Sequence, residues 1–71
     1  MSEIVHIGER GITLVQALKV AGLADTGGEA KLLIGAAKVL VNGDIELRKR
    51  KQLSIGDRIE IIDGGSAVIQ A

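Results

Sequence analysis

The densest group of charged side chains in this sequence is Arg48-Lys49-Arg50-Lys51, four consecutive cations. Adjacent cations repel one another, so a folded chain keeps them in water or sets them against an anion. Phosphate is the anion such a run suits, with Lys31 and Lys38 upstream as candidates to extend the patch. The stretch 31–52 carries a net charge of +4, while 1–30 and 53–71 each carry −2, which hides the patch inside a formally neutral chain. A neutral total does not exclude a polyanionic partner, because the partner feels the local field. The pair Gly27-Gly28 is a second candidate for phosphate contact. If it opens a helix, its backbone N–H groups and the helix dipole face an anion with no side chain in the way. The competing reading, which we favour, is that these glycines only ease the turn. No lysine follows them in a phosphate-loop arrangement, so nucleotide binding is not indicated.

Catalysis is not expected. His6 is the only histidine, and Ser2, Ser54 and Ser66 have no base beside them in sequence. The carboxylates are scattered singly. There is no cysteine, which removes disulfides, thiolate chemistry and cysteine-ligated zinc together. With nothing to assemble a nucleophile–base pair or a metal shell, no enzyme activity, no cofactor and no metal site are predicted. His6 reads as a strand side chain. The absence of Phe, Trp and Tyr narrows the partner further. Single-strand readers stack bases on aromatic rings, so an RNA-recognition motif, a cold-shock domain or an oligonucleotide-binding barrel is disfavoured. A rigid patch of Lys and Arg without such rings suits folded or double-helical RNA, recognised by backbone and shape.

The elements that must position these residues follow from the pattern. Seventy-one residues make one domain, 1–71, and 46% hydrophobic residues supply a core of Leu, Ile, Val and Ala. Residues 3–7 suit a strand. Thr13-x-x-Gln16 and Thr26-x-x-Glu29 are two capping boxes. The first precedes Leu14, Ala17, Leu18 and Ala21 at helical spacing, with Gly22 as the stop. The second precedes Ala30, Leu33, Ile34 and Ala37. The period then changes: 38–41 reads as a strand, Asn42-Gly43 as a tight two-residue hairpin turn, and 45–47 as its partner. Val39 and Val41 are assigned to opposite faces of the sheet. Ser54 to Asp57 turns, 58–62 alternates as a strand, Asp63-Gly64-Gly65 turns again, and 67–69 is a last strand. The expectation is an α+β domain, two N-terminal helices packed on a small, mostly antiparallel sheet of four to five strands. No apolar run reaches the roughly 20 residues of a membrane span, and the first ten residues do not read as a signal peptide. The chain is expected to be cytoplasmic and monomeric.

Two segments, ITLVQALKVAGLADTGGEAKLLI and KVLVNGDIELRKRKQLSIGDRIEI, resemble the S-four RNA-binding domain, also called the alpha-L RNA-binding motif. The resemblance covers 12–62 and keeps the order helix, helix, Val-Asn-Gly hairpin, Gly-Asp turn, strand. Its Gly-Gly-Glu-Ala-Lys segment is most similar to small free-standing bacterial members. It implies a non-catalytic protein binding structured RNA, such as ribosomal or transfer RNA, across the helix pair and hairpin, with ribosome association as one setting. Carried over by position, it implicates Lys31, Arg48, Lys49 and Lys51. Ala37 and Arg50 stand where the family pattern carries glycine, and Gln52 where it carries lysine. An alanine at positive φ costs about 1–2 kcal/mol, so the turn after the second helix is expected to differ or to be strained.

Two other readings use the same residues. A ubiquitin-like sulfur carrier also has a Val-Asn-Gly hairpin, a Gly-Asp turn and a Gly-Gly. In such carriers Gly-Gly is the free C-terminus, whereas Gly64-Gly65 is followed here by SAVIQA and both helices precede the hairpin. A protein-docking module remains open, because charge patches also recruit acidic proteins.

Overall fold

A computed structural model describes residues 2–6 and 11–70. In chain order the elements are β1 (Ser2–His6), β2 (Ile12–Thr13), α1 (Leu14–Val20), α2 (Gly27–Gly35), β3 (Val39–Val41), β4 (Asp44–Ile45), β5 (Gln52–Leu53), β6 (Arg58–Ile61) and β7 (Ser66–Gln70). Five strands form one sheet in the order β1-β7-β6-β3-β4, and β2 and β5 form a separate two-stranded ladder. All pairings are antiparallel except β1 with β7, which runs Ser2 beside Ser66 through His6 beside Gln70. The α+β class and the mostly antiparallel sheet are as the pattern predicts. Among the described residues no helix is long and apolar enough to cross a membrane.

Each helix begins where its cap dictates. Thr13 Oγ1 accepts from Gln16 N–H (3.3 Å), and Gln16 Oε1 accepts from Thr13 N–H (3.0 Å), a complete reciprocal box. The second box is only half formed. Thr26 Oγ1 accepts from Glu29 N–H (3.0 Å), but the Glu29 carboxylate reaches one residue further back, to Asp25 N–H (3.4 Å). Both helices end in the same paired-bond turn. After α1, Gly22 N–H donates to Lys19 O and Leu23 N–H to Leu18 O. After α2, Ala37 N–H donates to Ile34 O and Lys38 N–H to Leu33 O. This turn needs a left-handed residue, supplied by Gly22 (φ 75°) in one case and by Ala37 (φ 60°) in the other. The expected strain at Ala37 is therefore present. Arg50 is not among the residues at positive φ, so arginine is accommodated there without that cost.

One face of the large sheet meets the helices. Val5, Val39, Ile59, Ala67 and Ile69 from the strands pack with Leu14, Ala17, Leu18, Ala30 and Ile34 from the helices, all with no exposed surface. Val39 and Val41 are both buried with Leu40 between them half-exposed, so the two valines share a face. The assignment to opposite faces is corrected by the pleat: side chains alternate, and residues two apart point the same way. Asn42 (φ 52°) and Gly43 (φ 87°) are both left-handed, as a two-residue turn matched to the strand twist requires. Strand β4 is shorter than the expected 45–47, although Glu46 N–H still donates to Val39 O at 3.0 Å.

Candidate nucleic-acid interface

The basic run is held in place by its backbone. The first N–H groups of a helix have no carbonyl within the helix to bond. In α1 they turn to the run: Leu14 N–H donates to Lys51 O (2.9 Å) and Val15 N–H to Lys49 O (3.3 Å). The run itself folds into a turn, closed by Lys51 N–H donating to Arg48 O at 3.3 Å. Lys49 and Arg50 are its two central residues. Immediately afterwards Gln52 pairs with Thr13 and Leu53 with Ile12, extending the attachment as the β2–β5 ladder. The run is thus bound to the start of α1 along its length.

This anchoring separates the four cations. Lys49 and Arg50 line a groove with Lys31 of α2 and with Thr13, Val15 and Gln16 at the start of α1. Among the described residues no carboxylate lines that groove. Lys51 lines a second one, in company with Asn42, Asp44, Glu46 and Asp57. Arg48 is engaged within the chain. The Glu46 carboxylate accepts from Arg48 N–H (3.0 Å), Nε (3.1 Å) and Nη2 (3.1 Å). These hydrogen bonds hold the Glu46 carboxyl down at about 2 and raise the Arg48 guanidinium, each the other's principal cause. Lys38 lines neither groove; its backbone joins the end of α2 to the sheet, through Leu33 O and Ile62 N–H.

Gly27 and Gly28 are the first two residues of α2, where a helix leaves N–H groups without an internal partner. A methyl group on either glycine would meet its nearest neighbour at 3.8–3.9 Å, ordinary contact, so close packing does not demand glycine here. His6 is exposed on β1, at one edge of the sheet, away from both grooves.

A second lock fixes the hairpin that carries the run. Asn42 Nδ2 donates to Asp57 Oδ1 (3.0 Å), Asn42 Oδ1 accepts from Arg58 N–H (2.9 Å), and Asp57 Oδ2 accepts from Ser54 N–H (2.7 Å). The bonds from Ser54 and Asn42 hold the Asp57 carboxyl below the ordinary carboxylate range. In the sequence Asn42 and Asp57 fall in two separate turns, and their mutual contact, spanning fifteen residues, leaves no local signal. Gly64-Gly65 lies in the turn between β6 and β7, where Ile61 N–H donates to Gly65 O and Gly64 N–H to Ile61 O. That placement is unlike the free tail on which a sulfur carrier operates.

The sequence is similar to that of known proteins. The S4 domain family model matches residues 5–70. A relative from Bacillus subtilis (strain 168), a probable ribosome maturation protein RlbA, is 38% identical over 66 residues, covering 93% of each chain. The match runs from the first strand to the last and takes in both helices, the Asn-Gly hairpin and the basic loop, so this chain belongs to the S4 domain family.

Proposed function

We propose that this protein binds structured RNA without catalysis, through the groove between the start of α1, Lys31 and the turn at Lys49-Arg50. The observation that carries the reading is the convergence of three cations, from two stretches eighteen residues apart, on one groove whose lining holds no carboxylate among the described residues. Cations held on a helix and a braced turn meet successive phosphates with little ordering cost, and their fields add in the groove. Lys38, Arg48 and Lys51 add to the wider field with a smaller share, since Arg48 and Lys51 have carboxylates close by. The relative's name associates it with ribosome maturation, which supports ribosomal RNA in the cytoplasm as the partner.

The test is salt-dependent binding to a folded RNA. Three phosphate contacts give a log–log slope of about −2 to −3, from the single-strand to the duplex coefficient. Changing Lys31, Lys49 and Arg50 together to Ala removes most of that slope and weakens binding to every RNA, with the thermal transition retained. Lys38→Ala changes the slope by well under about one unit, the share of a full contact. A triple variant with the parental slope and affinity would sink the assignment. Recovery of an acidic protein instead of RNA on cross-linking would favour a docking module.

A further inference from the structure

The Arg48–Glu46 pair has a geometry that phosphate binding does not use. Glu46 engages Arg48 at Nε and Nη2, both at 3.1 Å, and at the backbone N–H, while the Arg48 side chain remains 71% exposed. Those hydrogen bonds lie in the plane of the guanidinium, along its edge, so the exposed surface includes the flat face. The result is a planar cation fixed in orientation at the start of a braced turn. Its partner is the better buried of the two, with the Glu46 side chain 14% exposed. Arg58 differs: its nearest carboxylate contact is a single one, Nε to Glu60 Oε1 at 3.7 Å. The chain contains no Phe, Trp or Tyr to receive a base, and its one imidazole, His6, lies on β1 and lines neither groove.

We infer that Arg48, held flat by Glu46, is a stacking platform for one nucleobase of the bound RNA, and that the preferred RNA carries an unpaired base beside a helix. An arginine plane stacks on bases as aromatic rings do, and its charge adds to the attraction. The carboxylate offsets that charge toward phosphates, which makes Arg48 a poor source of counterion release and leaves the face as its contact surface. Glu46 is the positioning residue. The assignment rests on the RNA-binding groove beside it, where Lys49 and Arg50 hold the backbone and Arg48 selects for an accessible base.

The experiment uses the full chain and two RNA hairpins of equal length, one fully paired and one with a single unpaired 2-aminopurine in its stem. The parent protein binds the second more tightly by about tenfold, within the range of base–aromatic stacking, and quenches its fluorescence. Arg48→Lys keeps the charge but loses the plane; it abolishes the preference and the quenching and leaves the salt slope within about half a contact of the parent. Glu46→Gln weakens the brace, reduces both the preference and the quenching, and leaves the slope equal or steeper. Lys49→Ala with Arg50→Ala lowers the slope for both hairpins while the ratio between them persists. Equal affinity of the parent for the two hairpins overturns the stacking assignment, as does an Arg48→Lys variant that keeps the preference and the quenching. An unchanged slope in the Lys49 and Arg50 variant overturns the groove reading instead.

Discussion

The two grooves on either side of the loop at 46–51 are built from one basic run yet have opposite electrostatic character. On one side Lys49, Arg50 and Lys31 face Thr13, Val15 and Gln16, none of which carries a charge. On the other, Lys51 meets Asp44, Glu46 and Asp57, and Arg48 nearby is held by Glu46. Four adjacent cations therefore do not act as one patch. The lesson is that formal charge counts less than the groups each side chain faces, and these are set by the carbonyls that anchor the loop to α1.

Charge reversal tests that difference most severely. Lys49→Glu with Arg50→Glu is expected to lower RNA affinity more than about a hundredfold at low salt, because it sets like charges against phosphate. Arg48→Ala with Lys51→Ala is expected to reduce affinity for a fully paired RNA by less than about fivefold, since both cations already have carboxylates close by. Filter binding of the two double variants measures the ratio, and equal losses would erase the distinction between the grooves.

The acidic side is expected to matter for stability instead. Asp57→Ala removes the acceptor of Ser54 N–H and Asn42 Nδ2, and is expected to cost about 1–2 kcal/mol in chemical denaturation while leaving the salt slope of binding intact. The same groups set the acid limb of the stability curve. Both Asp57 and Glu46 have folded-state values below their unfolded ones, so the unfolded chain takes up protons first as the pH falls. Their contribution is complete above the ordinary carboxylate range and is lost on acidification, for Glu46 between 4.5 and about 2. Denaturant midpoints across that window should fall in the parent and fall less in Asp57→Ala.

The smallest effect concerns the two helix ends, which share one turn but not one residue type. Ala37→Gly supplies at α2 what Gly22 supplies at α1. It is expected to raise stability by about 1 kcal/mol, the relief of left-handed strain less the extra freedom of glycine in the unfolded chain. A loss of stability would show that the Ala37 methyl contributes packing greater than its strain.

What could be read in advance follows the range of the interaction responsible. Thr13, Thr26 and Gly22 act within one turn, and the Asn42-Gly43 turn is a property of two residues, so all four were legible. The strain at Ala37 came from comparison with a family pattern. The β2–β5 ladder was not legible, because two-residue strands have no period to detect. Nor could the sequence say which way each cation of the run points. That depends on Leu14 and Val15 donating to the carbonyls of Lys51 and Lys49, across more than thirty residues. The capture of Arg48 left a nearer trace, a carboxylate two positions ahead of it.

The parallel pairing of β1 with β7 also bears on the order in which the sheet can close. Ser2 finds its strand partner at Ser66, so β1 has no partner in the large sheet until the far end of the fold has formed. Every other strand of the large sheet has a partner closer in sequence. The segment from α1 to β6, with both helices and the basic loop, is therefore free to assemble while β1 waits, and the arrival of β7 closes the sheet. A chain truncated before residue 66 would keep the groove cations Lys31, Lys49 and Arg50 and leave β1 without its strand partner.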